Sequence, residues 1–325
     1  MTQPAGISAI NWLRIAALGI IWGASFMAVS VALDGVGPLS VVAARLCLGA
    51  LFLLFLCRVT GRRLPNPLGQ GASRLWTFII AMGLFSNALP FFLLSWGQQV
   101  VASGFAGVTM AVVPLFVLPL AHVFVPGERL NLRRLIGFVI GTCGVVVLIG
   151  PGALADTGAD LEWLARLACV GAALCYATGT IFTRLCPEVD RLSLAAAVLT
   201  VAAVVFTPYA LWAEGWPQDV GTASLWALIY LGLLPTGAAQ ILLVQTIRDA
   251  GPVFMSLVNY MVPIWSVVFG ALLLSEALPP SLFLGMGMIL GGVALSQLGA
   301  LMRLFTARSA RVKDQKHIQN TRDAP

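Results

Sequence analysis

The chain has 325 residues, of which 59% are hydrophobic and only 10% charged, with a mean hydropathy of +0.94 and a formal net charge of +6. A soluble globular chain carries roughly 25% charged residues, so a single water-shielded core cannot hide this much apolar surface. Lipid must be the main solvent, and no soluble domain of any size fits beside the apolar runs.

About 20 apolar residues cross a bilayer as a helix. Ten such spans are predicted, at 12–33, 38–57, 75–97, 101–124, 132–151, 163–184, 192–213, 222–246, 251–275 and 280–302. The first begins after a stretch with no basic residue before Arg14 and is long enough to cross, so it is expected to be retained and not cleaved as a signal peptide. It carries Trp22. The second carries Arg45, about 10 Å below its outer end at 1.5 Å per residue. A charge near a helix centre costs at least ~2.5–3.5 kcal/mol, less toward the surface. Either Arg45 meets an anionic cargo with its guanidinium fork, or it snorkels and binds helix-end carbonyls near Asp34.

The third span carries Asn87. The fourth and ninth carry Pro114 and Pro263 at matched depth, each expected to bend its helix and to free the carbonyl four residues earlier, those of Met110 and Asn259. Freed carbonyls at membrane depth need protein or a wet cavity as partner, so these two spans are expected to line a pathway, with Pro114 and Pro263 as hinges. The fifth span shows one small face, Gly137, Gly141 and Gly144, and the tenth repeats the spacing at Gly287 and Gly291, which together predict close backbone contact. Tyr176 and Thr178 lie in the sixth, Gln240 and Gln245 in the eighth, Asn259 and Tyr260 in the ninth; facing lipid, the amides would be costly. His122 is expected at the inner interface, and Trp96 and Trp216 in the aromatic belt.

The joints hold the expected breakers: Asp34-Gly35, Pro65-Asn66-Pro67, Pro126-Gly127, Pro151-Gly152, Trp216-Pro217 and Pro279-Pro280. The cysteines at 47, 57, 143, 169, 175 and 186 mostly sit in apolar runs without CxxC spacing, and read as small hydrophobes. Alternate joints are basic: Arg58, Arg62, Arg63 and Arg74, then Arg129, Arg133 and Arg134, then Arg184 and Arg191, then Arg248, then the tail. The joints between them hold no Lys or Arg and carry Asp34, Asp156, Asp160, Glu214, Asp219 and Glu276. By the positive-inside rule both termini are cytoplasmic. The positive charge then faces anionic headgroups on the cytoplasmic side, and no basic surface with aromatic platforms points to nucleic acid.

The chain also repeats itself. Val113-Pro114 falls on Val262-Pro263 and, with a one-residue gap, Glu128 on Glu276, Gly137 on Gly285 and Gly144 on Gly292. Trp22 falls near Tyr176, and Leu39-Ser40 near Leu192-Ser193. Each half has an odd number of spans, so the second enters the membrane the other way up. Inverted repeats are the signature of secondary transporters, whose sites lie near the midplane between halves.

Trp22-Gly23-Ala24-Ser25-Phe26, Ala44-Arg45-Leu46, Asn87-Ala88-Leu89-Pro90, and the run from Ala102-Ser103-Gly104 through Pro114 to Gly127-Glu128-Arg129-Leu130, Gly137 and Gly144 together resemble the EamA-like family of the drug/metabolite transporter superfamily. The resemblance covers about residues 12–302, although Ser275-Glu276-Ala277-Leu278 departs from the Gly-Glu-Arg-Leu pattern and no arginine stands opposite Arg45. It implies a ten-helix inverted-repeat carrier with a central cavity, moving small metabolites, often amino acids or their derivatives and frequently outward. It also makes Arg45 a general family feature while cargoes vary, which favours the structural reading of that residue.

The expectation is therefore an all-α polytopic membrane protein of ten transmembrane helices, built as two inverted five-helix repeats, 1–151 and 152–303, with a disordered basic cytoplasmic tail at 304–325. The candidate substrate-binding residues are Trp22, Arg45, Asn87, Met110, Tyr176, Gln240, Asn259 and Tyr260. Walker A and HExxH patterns are absent and no nucleophile–base pair is visible, so neither an enzyme nor a cofactor is expected. No Asp or Glu falls in the middle of a span, which argues for a neutral, zwitterionic or anionic cargo. A phosphorylated or nucleotide-linked cargo, and a membrane sensor or assembly factor that moves nothing, are the rival readings. A monomer or weak homodimer in the cell membrane is expected.

Overall fold

The computed structural model describes residues 8–69, 71–128, 130–150, 161–299 and 302. The tail at 304–325, Arg129, Asp156 and Asp160 lie outside the described residues. Among the described residues every regular element is helical and there is no strand.

Nine helices among them are long and apolar enough to cross a membrane: α1 Ala9–Leu33, α2 Pro38–Val59, α3 Ala72–Gly97, α4 Ser103–Phe124, α5 Leu132–Ile149, α6 Glu162–Leu185, α7 Arg191–Glu214, α8 Thr222–Ala250 and α10 Pro280–Gly299. The remaining apolar segment is broken into a single turn, Pro252–Met255, and α9, Val258–Leu273, whose 16 residues are short for a full crossing.

Local chemistry sets the helix starts. Pro38 opens α2 with no N–H to waste. The Asn131 side chain accepts from the Arg134 N–H at the start of α5, and Asp190 from the Ser193 N–H at the start of α7. Gly150 ends α5 at φ +82°, a left-handed conformation that favours glycine. Two other helix starts are capped from far away in the chain. Glu214 accepts from the N–H groups of Leu39 and Ser40 at 2.9 and 2.8 Å. Glu276 accepts from those of Ser103 and Gly104 at 2.7 and 3.0 Å.

Such pairings fix the two ends of the bundle. Arg14 meets Asp249, Arg62 meets Asp190, and Arg184 meets Glu128 at one end, here called the basic end. Glu214 and Glu276 mark the acidic end. One arginine does sit at the acidic end: Arg166, in the second turn of α6, donates to Glu162 and to the Ile149 carbonyl. The sequence reading placed it inside a span and so left it out of the loop charges.

Glycine governs the tightest packing. A Cβ on Gly144 would come within 3.0 Å of the Gly285 carbonyl, and one on Gly137 within 2.5 Å of the Gly292 carbonyl, so α5 and α10 meet backbone to backbone. The expected partners on α10, Gly287 and Gly291, are wrong: a Cβ on either meets nothing within 4 Å. The face that packs is offset from theirs because helical rotation of about 100° per residue turns 285 and 292 inward and 287 and 291 away. On the other side of the bundle, Gly19 of α1 lets Met261 of α9 approach, with 2.8 Å between a notional Cβ and the Met261 Cβ.

Candidate functional site

Helices α3 and α8 each loosen midway into a π-helical turn, at Leu84–Ala88 and Gly232–Ala238. A π-turn leaves carbonyls with longer-range partners and often marks a functional position. In α3 the Asn87 side chain donates to the Met82 carbonyl at 3.3 Å. In α8 the Thr236 hydroxyl donates to the Leu231 carbonyl at 2.8 Å. Each polar side chain thus closes a gap in its own helix.

Around the α8 π-turn lies a polar seam. The Trp22 indole N–H donates to the Pro235 carbonyl at 3.0 Å, and the Tyr230 hydroxyl to the Ile21 carbonyl at 2.8 Å, tying α1 to α8. Arg45 is only 8% exposed. Its Nε donates to the Thr236 hydroxyl at 2.7 Å, and its guanidinium carbon lies 3.7 Å from the centre of the Phe91 ring. A desolvated cation over an aromatic face gains about 2 kcal/mol. Tyr176 meets the same ring edge-on at 6.5 Å. Arg45 therefore neither snorkels nor binds the helix end near Asp34; Thr236 and Phe91 hold it inside the bundle.

A separate cavity of about 590 Å³ opens at the basic end between α4, α5, α6, α9 and α10. Pro114, midway along α4, and Asn259, at the start of α9, line it, and Thr180, Ser256, Ser296 and Gln297 supply neutral polar walls. Arg133, Arg134, Arg184, His122 and Glu128 surround its mouth. Glu128 bridges Arg134 at 3.1 Å and Arg184 at 3.3 Å. Toward the acidic end the same helices close up. A Cβ on Gly107 of α4 would overlap the Ser266 hydroxyl of α9, and one on Gly270 would overlap the Glu276 carboxylate.

The helix interruptions fall close to, but not all at, the expected prolines. In α4 a tighter turn at Met110–Val112 immediately precedes Pro114. The Met110 carbonyl accepts from the Val113 N–H, so the chain itself satisfies it. Before α9 the break is at Ser256–Leu257, and Pro263 stands inside a continuous helix. The bend expected at Pro263 is thus displaced by about two turns. Bonds of the tighter i→i−3 kind, such as Asn259 N–H to the Ser256 carbonyl at 3.1 Å, absorb the irregularity there.

Of the residues singled out from sequence, the cavity brings together Pro114 and Asn259. Trp22, Arg45 and Tyr176 belong to the seam, and Asn87 serves the α3 π-turn. Met110, Gln240 and Tyr260 are half-buried, and the Tyr260 hydroxyl has no hydrogen-bond partner among the described residues. Gln245 is exposed. Sequence reasoning missed Arg133, Arg134, Arg184, Thr180, Ser256 and Gln297 as cavity residues. The arginines had already been explained as basic-joint residues, and nothing in their spacing separates a cavity-facing cation from one that faces headgroups.

The EamA-like transporter family model matches residues 10–150 and again 163–298. The chain belongs to the EamA-like transporter family. It is a multi-span membrane protein, and its relatives agree with that assignment. It is 26% identical over 286 residues to the uncharacterized transporter YoaV of Bacillus subtilis, covering 87% of this chain and 95% of that one. It is 26% identical over 295 residues to the uncharacterized inner membrane transporter YedA of Escherichia coli K12, covering 90% and 91%. A probable terminal-alkyne amino-acid exporter of Streptantibioticus cattleyicolor is 24% identical over 276 residues, covering 85% and 89%. A chain known from a crystal structure shares the fold, with a TM-score of 0.63 at 21% identity over 89% of this chain and 98% of that one.

Proposed function

We propose that this EamA-like protein is a secondary carrier that moves amino acids or related small metabolites outward across the cell membrane by alternating access. Its ten helices, counting α9 with the turn before it, form two inverted five-helix repeats with both termini cytoplasmic, so the basic end faces the cytoplasm. The observation that carries this reading is the cavity. It reaches Pro114, about 17 Å along α4 from its start at 1.5 Å per residue, and Asn259, and it opens at the basic end while α4 and α9 are shut at the other.

Several features support the repeat. The family model matches the chain twice. The two self-closing π-turns are equivalent: Asn87 and Met82 lie 149 residues before Thr236 and Leu231, the same interval that separates Pro114 from Pro263. The glycine contacts exchange as a two-fold axis requires, since Gly137 touches Gly292 while Gly144 touches Gly285. The amino-acid cargo rests on the named exporter among the relatives and on the cavity's polar lining. Arg45, already engaged by Thr236 and Phe91, offers no support for a phosphorylated cargo.

The test is uptake by purified protein in liposomes against labelled amino acids, nucleosides and organic anions, with and without a pH gradient. Saturable amino-acid flux is expected. Asn259→Ala is expected to lower it about tenfold, the equivalent of ~1.4 kcal/mol, with unchanged yield of folded protein. No flux across the whole panel from folded protein would favour the sensor reading instead.

A further inference from the structure

We infer that the cavity mouth at the basic end is the entry site for an α-amino-acid-like cargo, and that the Glu128 carboxylate holds the place of the cargo carboxylate there. The inference rests on the carrier reading above and deepens it by naming the group that is recognised and the residues that recognise it.

Among the described residues the mouth holds three guanidinium groups, Arg133, Arg134 and Arg184, and one carboxylate, Glu128. One Glu128 oxygen lies 3.1 Å from Arg134 Nη1 and the other 3.3 Å from Arg184 Nη1. The gap between α5 and α6 is therefore already sized for a single carboxylate shared by two guanidiniums. Charge-assisted pairs of this kind are strong and directional, yet both contacts are longer than the 2.7–2.9 Å usual for them. The bridge also stands in partial contact with water, with Glu128 36% and Arg184 44% exposed, so it exchanges readily. The third guanidinium is not neutralised by it. The Arg133 Nε is buried without a hydrogen-bond partner among the described residues, and the group lies against Gly299, where a Cβ would overlap it. Among the described residues the mouth thus sets three guanidiniums against one carboxylate.

An incoming amino acid matches this arrangement group for group. Its carboxylate takes the place of Glu128 at Arg184 and draws on Arg133, while Glu128 keeps Arg134. Net charge does not change, since the cargo is a zwitterion, and Glu128 gives up one of its two ion pairs as the cargo carboxylate forms its own. Thr180, Ser256, Asn259 and Gln297 then offer neutral hydrogen-bonding groups further along the wall. His122 is tied to the Glu128 backbone carbonyl at 3.2 Å through its Nδ1, which steadies the loop that carries Glu128.

The experiment uses the full-length protein in nanodiscs and phenylglyoxal labelling of arginine, read by peptide mass spectrometry. The probe is a mixture of neutral α-amino acids at about 20 mM total, compared with the corresponding amino-acid amides; millimolar entry affinity is worth only ~4 kcal/mol. Arg62, paired with Asp190 at the same end outside the cavity, is the internal control. The amino acids are expected to slow labelling of Arg184 and Arg133 about threefold, and the amides to have no effect; Glu128→Gln, which removes the resident competitor, is expected to lower the half-protecting concentration about tenfold. Equal protection by acids and amides, or none, would overturn the inference. So would protection that appears only when phosphatidylglycerol replaces phosphatidylcholine and is indifferent to amino acids, because the anion would then be a lipid phosphate. Should Glu128→Gln fold poorly, Arg184→Gln in folded protein must still raise the half-protecting concentration at Arg133, and its failure to do so counts against the site. Liposome flux is measured on the same preparation. Flux without protection removes this site and leaves the carrier; protection without flux leaves the site and removes the carrier.

Discussion

Two carboxylates, Glu276 at the acidic end and Glu128 at the basic end, are counterparts in the proposed repeat and do different work. Glu276 accepts two backbone N–H groups at the start of α4, and beside it Gly107 and Gly270 let α4 and α9 close. The Glu128 carboxylate accepts from arginine side chains instead. It bridges two arginines across the mouth of a cavity lined by the other halves of the same region. A carboxylate on backbone N–H groups at a helix N-terminus gains hydrogen bonds and a favourable dipole without recruiting a second charge. A carboxylate between guanidiniums can be replaced by any other carboxylate. The first arrangement suits a seal and the second suits a site of exchange.

That contrast can be broken at several points. The largest effect is expected from Gly107→Leu, which fills the closed end with a side chain where even a Cβ overlaps Ser266. Overpacking of this kind costs about 1–3 kcal/mol or more, and either folded yield or flux should be lost; normal flux with normal yield would show that the closure is not tight. Next, Thr236→Val removes the acceptor of the buried Arg45 Nε. Leaving a buried donor unsatisfied costs about 1–3 kcal/mol, more when it is charged. The measurement is the melting temperature in detergent, and an unchanged value would mean that Arg45 relies on Phe91 alone. In the same variant the KM for cargo should hold, because Arg45 lies in the seam and not on the cavity wall.

Glu276→Gln probes the seal more gently. The amide keeps an acceptor and loses the charge, so a loss of about 1 kcal/mol is expected, together with faster thiol labelling of a cysteine placed at Ser103. Equal labelling rates in parent and variant would show that the charge is not what holds that end shut.

The smallest effect concerns Asp190, which pairs with Arg62 and caps α7 outside the membrane. Burial pushes its carboxyl up, but hydrogen bonds from the Ser193 N–H, Arg62 and the Ser193 hydroxyl, with the Arg62 charge, outweigh burial and hold it below the ordinary carboxylate value. A depressed folded value contributes stability that is present above the unfolded value, about 3.9, and lost as pH falls through the folded one. Asp190→Asn still caps the helix. The parent's small advantage over it should therefore exist at pH 7, begin to fall below about pH 4 and vanish only once the pH lies below the folded value; an advantage that persists in stronger acid would assign it to something other than the charge.

Much of the architecture was legible because lipid imposes long apolar runs, and loop charge marks their sides. The positions of α1 to α8 and α10 follow from that, and the close packing of α5 follows from its glycine face. The partner face on α10 was misread because Gly287 and Gly291 carry the GxxxG spacing while the glycines that pack, Gly285 and Gly292, stand seven residues apart, and only the facing helix selects between them. Asn87 read as a cargo ligand because a buried amide must bond to something. That its partner is its own helix depends on a π-turn, which leaves no mark in apolar periodicity. The cavity arginines were visible as residues and hidden in role, since the charge of a basic joint has the same composition whether it faces headgroups or a chamber.

The sequence by itself determined the solvent, the approximate spans and the family, because these depend on hydrophobicity and on residues near one another in the chain. Only the tertiary structure decided that Arg45 is held by Thr236 and Phe91, that Glu214 and Glu276 cap helices more than 170 residues away in sequence, and that Glu128 rests between Arg134 and Arg184. Each of those outcomes satisfies a buried or half-buried polar group with a partner from a distant helix. Such a partner is chosen by packing, and packing is not written in local order.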